Sequence, residues 1–199
     1  MSDNIYLTGF MGAGKSVAGL ALARLLRRRF LDMDELVARR LGMDIPRAFA
    51  QLGEAAFRRA ESAELKRISQ RKRLVVATGG GLPVDPANRE VMGYSGRVIL
   101  LEASLEGCRQ RLGQEGTAGR PLWQDPAALE RLFASRREAY GDCDAAVPVD
   151  GRDPGQVLAD LAAAVLGRDA FTASLGGVEC PVEATTQGPQ ALKPLADGR

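Results

Sequence analysis

Eight residues, Gly9-Phe10-Met11-Gly12-Ala13-Gly14-Lys15-Ser16, constrain this chain more than any others. They fit G-x-x-x-x-G-K-[ST], a pattern that has meaning only between a strand and a helix. An apolar run at Ile5-Tyr6-Leu7 precedes them, and an apolar, helix-like run at 17–26 follows. Glycines let the backbone turn tightly enough for several N–H groups to face one anion. The helix N-terminus adds its positive end. In such a loop Lys15 reaches the β- and γ-phosphates of a nucleotide, and the Ser16 hydroxyl binds Mg²⁺. Gly12, Ala13 and Gly14 complete the expected nucleotide contact.

The rest of the chain continues the alternation. Strands are expected at 4–8, 30–32, 74–77, 97–101 and 146–149. Helices are expected at 15–29, 34–41, 45–52, 53–71, 85–93, 104–112, 125–140 and 153–166. Alternating strands and helices imply a parallel sheet covered on both faces, an α/β architecture of three layers. Ligands in such sheets bind beyond the carboxyl ends of the strands. The glycine loop, Asp32-Met33-Asp34 and Thr78-Gly79-Gly80-Gly81 all fall at strand ends and should share one crevice. Residues 113–124 hold three glycines and a proline and read as a mobile loop. Residues 167–199 lack a sustained period and read as a C-terminal extension, a weak hairpin followed by a tail. The domain proper is therefore expected over 1–166.

Composition removes several chemistries. There is no histidine, so histidine bases, Ser-His triads and His-ligated metals are excluded, and a general base must be Asp, Glu, Lys, Tyr or Cys. Cys108, Cys143 and Cys180 are too few and too scattered for a disulfide framework or a zinc site, which fits a reducing, cytoplasmic setting. A net charge of +2 gives no reason to expect nucleic acid or a membrane as partner. Arginine is the default cation here: only Lys15, Lys66, Lys72 and Lys193 are lysines, which adds weight to Lys15.

Each remaining motif has a functional and a plainer reading. Both acids of a D-x-D pair in extended backbone point to one face. Beside a phosphate loop, Asp32 would hold Mg²⁺ through water and Asp34 would orient an attacking hydroxyl and accept its proton. Otherwise one of them only caps the next helix. Thr78–Gly81 is either a backbone nest for an anion such as a carboxylate or a flexible turn. Arg58, next to core-facing Phe57, suits a bidentate carboxylate contact but on pattern alone is a surface residue. Arg120, in the 113–124 loop, would bring a cation to the transferring phosphate as the loop closes. Arg136 and Arg137 lie on the following helix; either could face inward, but on pattern alone both read as solvated surface residues.

Together, Gly9–Ser16, Asp32-x-Asp34, Phe57-Arg58-Arg59, Gly79-Gly80-Gly81, Arg120-Pro121-Leu122 and Arg136 resemble the shikimate kinase family in order and spacing, over about residues 4–166. The resemblance implies a P-loop kinase fold of the nucleoside-monophosphate-kinase type, with a five-stranded parallel sheet and a lid at about 113–124. It implies transfer of the ATP γ-phosphate to the 3-hydroxyl of shikimate, with Mg²⁺, on the route to chorismate and the aromatic amino acids. Carried over by position, Lys15, Asp34 and Arg120 would be catalytic. Asp34, Arg58, Gly79, Gly80, Gly81 and Arg136 would bind shikimate, and Ser16 and Asp32 would place the metal. Arg111 and Arg152 resemble adenine-binding positions. Shikimate and ATP are the expected partners, and the chain is expected to act as a monomer. A gluconate-like kinase and a sensor domain without turnover are the alternatives. Val17 departs from the family, which usually has Thr there, and this removes a hydroxyl that would face the α-phosphate.

Overall fold

Among the described residues, 3–117 and 125–167, the computed structural model places five strands in one sheet. They are β1 (Asn4–Thr8), β2 (Arg29–Asp32), β3 (Leu74–Ala77), β4 (Gly96–Glu102) and β5 (Ala145–Pro148). Their order is β2-β3-β1-β4-β5, and every pairing is parallel. The helices are α1 (Lys15–Leu25), α2 (Met33–Leu41), α3 (Ile45–Ser69), α4 (Pro86–Ser95), α5 (Leu105–Thr117), α6 (Pro126–Gly141) and α7 (Pro154–Leu166).

Strand alternation divides the interior in two. Ile5, Leu7, Val75, Ile99, Leu101 and Val147 point to one face, where α1, α6 and α7 cover them with Leu22, Ala23, Leu129, Leu161 and Val165. Tyr6, Leu31, Val76 and Val98 point to the other, under Met33, Val37, Phe57, Leu65, Ile68 and Met92 from α2, α3 and α4. Successive side chains of a strand point to opposite faces, so each buried strand feeds both cores. This is the expected three-layer α/β/α fold. Among the described residues no helix is long and apolar enough to cross a membrane.

The helix starts follow local capping chemistry. Asp44, Asp85, Asp125 and Asp153 each cap a helix whose first turn holds a proline, and Asp153 and Gln156 form a reciprocal capping box. Several boundaries differ from the sequence-based expectation. Helix α1 stops at Leu25, because Arg29 already pairs with Leu74 in the sheet. The two helical stretches expected at 45–52 and 53–71 are both present and meet at Gly53, whose φ 76° and ψ 165° are not helical, and α3 runs across this kink. Helix α5 is interrupted at Gly113 and resumes to Thr117, so the start of the segment expected as a loop is helical. The fully buried positions of α3 after its break are Phe57, Glu61, Glu64, Leu65 and Ile68, whereas Ala56, Ala60 and Ala63 are half-buried. The Arg120-Pro121-Leu122 motif, Trp123 and most of the extension, from residue 168 on, lie outside the described residues, as does Cys180.

Candidate active site

The register brings the carboxyl ends of β1, β2 and β3 side by side, with Leu7 opposite Ala77 and Ala77 opposite Asp32. Three distant sequence motifs therefore open into one crevice. The loop after β1 wraps the start of α1. Gly12 has φ 85°, and a Cβ there would come within 2.7 Å of the Cys108 carbonyl, so glycine is required both by conformation and by space. Gly14, at the N-cap of α1, makes no side-chain cap and leaves the first turn's N–H groups facing outward.

Lys15 folds back under this loop, and its Nζ donates to the carbonyls of Gly9 at 2.8 Å and Phe10 at 2.9 Å. The residue is half-buried, and its ammonium is held by the loop's own carbonyls. Desolvation lowers its pKa to about 8, against the opposing pull of Asp34.

Ser16 and Asp32 are joined: Ser16 Oγ donates to Asp32 Oδ2 at 2.6 Å. The other carboxylate oxygen accepts the Asp34 N–H at 2.9 Å and caps α2. Asp32 thus caps α2 with one oxygen, the plainer of its two readings, and reaches Ser16 of the phosphate loop with the other. A hydroxyl and a carboxylate held together at the mouth of an anion-binding loop are the hard oxygen donors that Mg²⁺ prefers, so these residues fit that ion.

Beyond β3 the glycine run is shaped by what presses on it. A Cβ on Gly79 would overlap Glu61 Oε1 and lie 3.0 Å from Asp34 Oδ1, so both acids face this one glycine. Gly79→Ala is expected to destabilise the fold by about 1–3 kcal/mol through overpacking, measured by denaturant unfolding. Unchanged stability would mean that Glu61 can move aside freely. Gly80 accepts a hydrogen bond from the Tyr140 hydroxyl at 2.6 Å, and a Cβ on it would lie 3.4 Å from Arg136 Nη1.

Arg136 is the inward-facing arginine of α6. It is 9% exposed, with its guanidinium over the Phe10 ring at 5.7 Å. Arg58, on α3, approaches the same glycine run at Gly81, and its Nη1 donates to Glu61 at 2.6 Å. Two guanidinium groups thus flank a run of glycines, an arrangement suited to a carboxylate.

Glu61 was not singled out by motif. It is 2% exposed, and burial raises its pKa against the pull of Arg58. One signal was available: Glu61 and Leu65 follow Phe57 at four-residue spacing, so an acid occupies a core-facing position of the helix. Tyr140 was missed too. Desolvation pushes its hydroxyl up to about 12, which keeps it a neutral donor to Gly80.

Of the residues expected at the nucleotide, Arg111 is tied directly to the loop. Its Nε donates to the Gly12 carbonyl at 3.0 Å and its Nη2 to Asp150 at 2.9 Å. Arg152 pairs with Asp160 on α7. Val17 is 73% exposed on the outer side of α1. Arg120 lies outside the described residues.

A phosphate loop at the central strand, an acid pair beside it and two guanidinium groups flanking a glycine run define a P-loop kinase. The shikimate kinase family model matches residues 11–165. The chain belongs to the shikimate kinase family. It is 40% identical over 162 residues to a shikimate kinase of Geobacter sulfurreducens, covering 80% of this chain and 88% of that protein. A shikimate kinase of a Synechococcus species is 41% identical over 157 residues, covering 77% and 81%. Among solved structures, shikimate kinase from Acinetobacter baumannii in complex with shikimate superposes with a TM-score of 0.75 at 34% identity, covering 81% of this chain and 91% of that one. The Aquifex aeolicus shikimate kinase gives 0.73 at 33% identity, covering 87% and 99%. A gluconokinase from Sinorhizobium meliloti, at 17% identity and a TM-score of 0.54, shares the fold alone.

Proposed function

We propose that this chain transfers the γ-phosphoryl group of ATP to the 3-hydroxyl of shikimate, and that the crevice described above is where it does so. Family membership supports the activity. The observation that carries the acceptor site is the convergence of Arg58, Arg136 and Asp34 on Gly79-Gly80-Gly81, three charged side chains from three helices around one backbone nest.

Each role follows from chemistry. The N–H groups of the 9–16 loop and the Lys15 ammonium bind the nucleotide phosphates and stabilise charge on the transferring group. For this, Lys15 must exchange its bonds to Gly9 and Phe10 for phosphate oxygens. Ser16 and Asp32 would hold Mg²⁺, the latter through water, and when bound the ion supplies charge neutralisation at the phosphates. Arg58, Arg136 and the Gly79–Gly81 backbone bind the acceptor carboxylate. Asp34 aligns the acceptor hydroxyl and takes its proton. Arg120, of the Arg120-Pro121-Leu122 motif, would supply a further cation at the transferring phosphate. Arg111 and Arg152 border the adenosine end, and Val17 stands where the family's threonine would face the α-phosphate. Gluconate and a sensor without turnover remain the competing acceptor and competing class. A site that holds both a phosphate lysine and an acid aimed at the acceptor pocket favours turnover.

ADP release with and without shikimate tests the activity: ATP consumption should depend on shikimate and should not be supported by gluconate. Arg58→Ala is expected to raise the shikimate KM about ten- to a hundredfold with a smaller change in kcat, since it removes a charged hydrogen bond to the acceptor. An unchanged KM overturns the carboxylate clamp.

A further inference from the structure

The Arg58 guanidinium has one edge suited to a bidentate carboxylate contact, and an internal carboxylate already holds it. Nη1 is committed to Glu61, which is buried and fixed by the fold. The Phe57 and Phe49 rings lie 5.5 and 5.7 Å from the guanidinium carbon, and Gly81 abuts it so closely that a Cβ would overlap it. The free edge is therefore the one formed by Nε and Nη2, and a planar carboxylate pairs best along such an edge with two parallel N–H···O bonds. In the structure both nitrogens donate to a single oxygen of Glu54, at 3.3 and 3.1 Å. One oxygen shared by two donors is a weaker match than two oxygens, and Glu54 is 68% exposed. It follows the helix break at Gly53 and reaches Arg58 only as an i,i+4 neighbour. Among the described residues its ion pair is with Arg58.

We propose that Glu54 is an intramolecular stand-in for the acceptor carboxylate: it occupies the Nε/Nη2 edge of Arg58 while the pocket is empty and yields that edge when the acceptor binds. Glu54 then sets acceptor affinity by competition. Glu61 has the opposite function, holding Arg58 in place in both states. The two glutamates on one arginine are separated by burial: the buried one positions, and the exposed one competes. The competitor also keeps the arginine edge paired until an anion that can use both nitrogens arrives, which favours carboxylate-bearing acceptors over neutral polyols.

This inference rests on the shikimate kinase reading. Glu54→Gln, with Glu54→Ala as a second variant that leaves no acceptor atom, is compared with the parent chain in steady-state kinetics and in titration of shikimate. Removing the competitor is expected to lower both the shikimate KM and its dissociation constant about two- to fivefold, the range an exposed ion pair allows. The kcat and the ATP KM should change by less than about twofold. A shikimate KM that is unchanged or higher in both variants overturns the proposal and makes Glu54 a support for Arg58. A parent chain that neither binds nor phosphorylates shikimate fails the functional reading itself, and this inference with it.

Discussion

Asp34→Asn is expected to lower turnover by about 10²–10⁴-fold, the usual contribution of a positioned general base. Asparagine keeps the size and the hydrogen-bonding reach of the side chain but cannot take the hydroxyl proton. The N–H of residue 34 would still cap onto Asp32, because that bond uses backbone. ATP binding should therefore persist, since the 9–16 loop and the Ser16–Asp32 contact do not depend on the Asp34 carboxylate. Turnover in a coupled ADP assay and ATP affinity by titration separate the two effects. Near-parental turnover would remove Asp34 from the chemistry. Glu61 bears on the same prediction, because both acids face Gly79 and the charge on Asp34 helps raise the Glu61 pKa.

Lys15→Met is expected to lower kcat about 10²–10³-fold, the loss seen when one charge-stabilising donor is removed from a transferring group. The same residue makes the empty enzyme pH-sensitive. With the lysine pKa lowered from 10.5 to about 8, the unfolded chain binds more protons than the folded one between those values. Stability therefore rises with pH across that window, and below it the buried charge costs on the order of 3 kcal/mol. The methionine variant lacks this slope, which denaturant unfolding at pH 7 and pH 10 would show. Binding runs the other way. Phosphates require the protonated ammonium, so ATP affinity is expected to weaken by about tenfold per pH unit above 8 in the parent chain and not in the variant. A parent chain whose ATP affinity is flat from pH 8 to pH 10 would show that its ammonium is not the titrating contact.

Much of this molecule was legible without coordinates. The alternation of apolar runs with amphipathic ones gave the five parallel strands, and the aspartates ahead of Pro86, Pro126 and Pro154 gave three helix starts. The phosphate loop was legible because its glycines answer a local backbone demand, visible in the left-handed φ of Gly12 and Gly14. The breaks at Gly53 and Gly113 were local signals too, since each glycine has a positive φ that interrupts the helix; what spacing did not show is that the helix resumes after Gly113 to Thr117.

The sequence by itself determined the fold class, the donor loop and the identities of the charged residues, because each depends on short-range spacing: two for strands, near four for helices, fixed offsets for the loop. The tertiary structure decided which charges meet. Arg58 and Arg136 stand 78 positions apart on different helices, and no local rule distinguishes them from the exposed arginines beside them. Parallel pairing of β1, β2 and β3 brings the strand ends together, and the two cores orient α3 and α6 so that these two arginines face the glycine run. Burial then gives Lys15 a lowered pKa, makes Glu61 a fixed anchor and leaves Glu54 a replaceable partner, because the cost of a charge is set by the medium around it and not by its place in the chain.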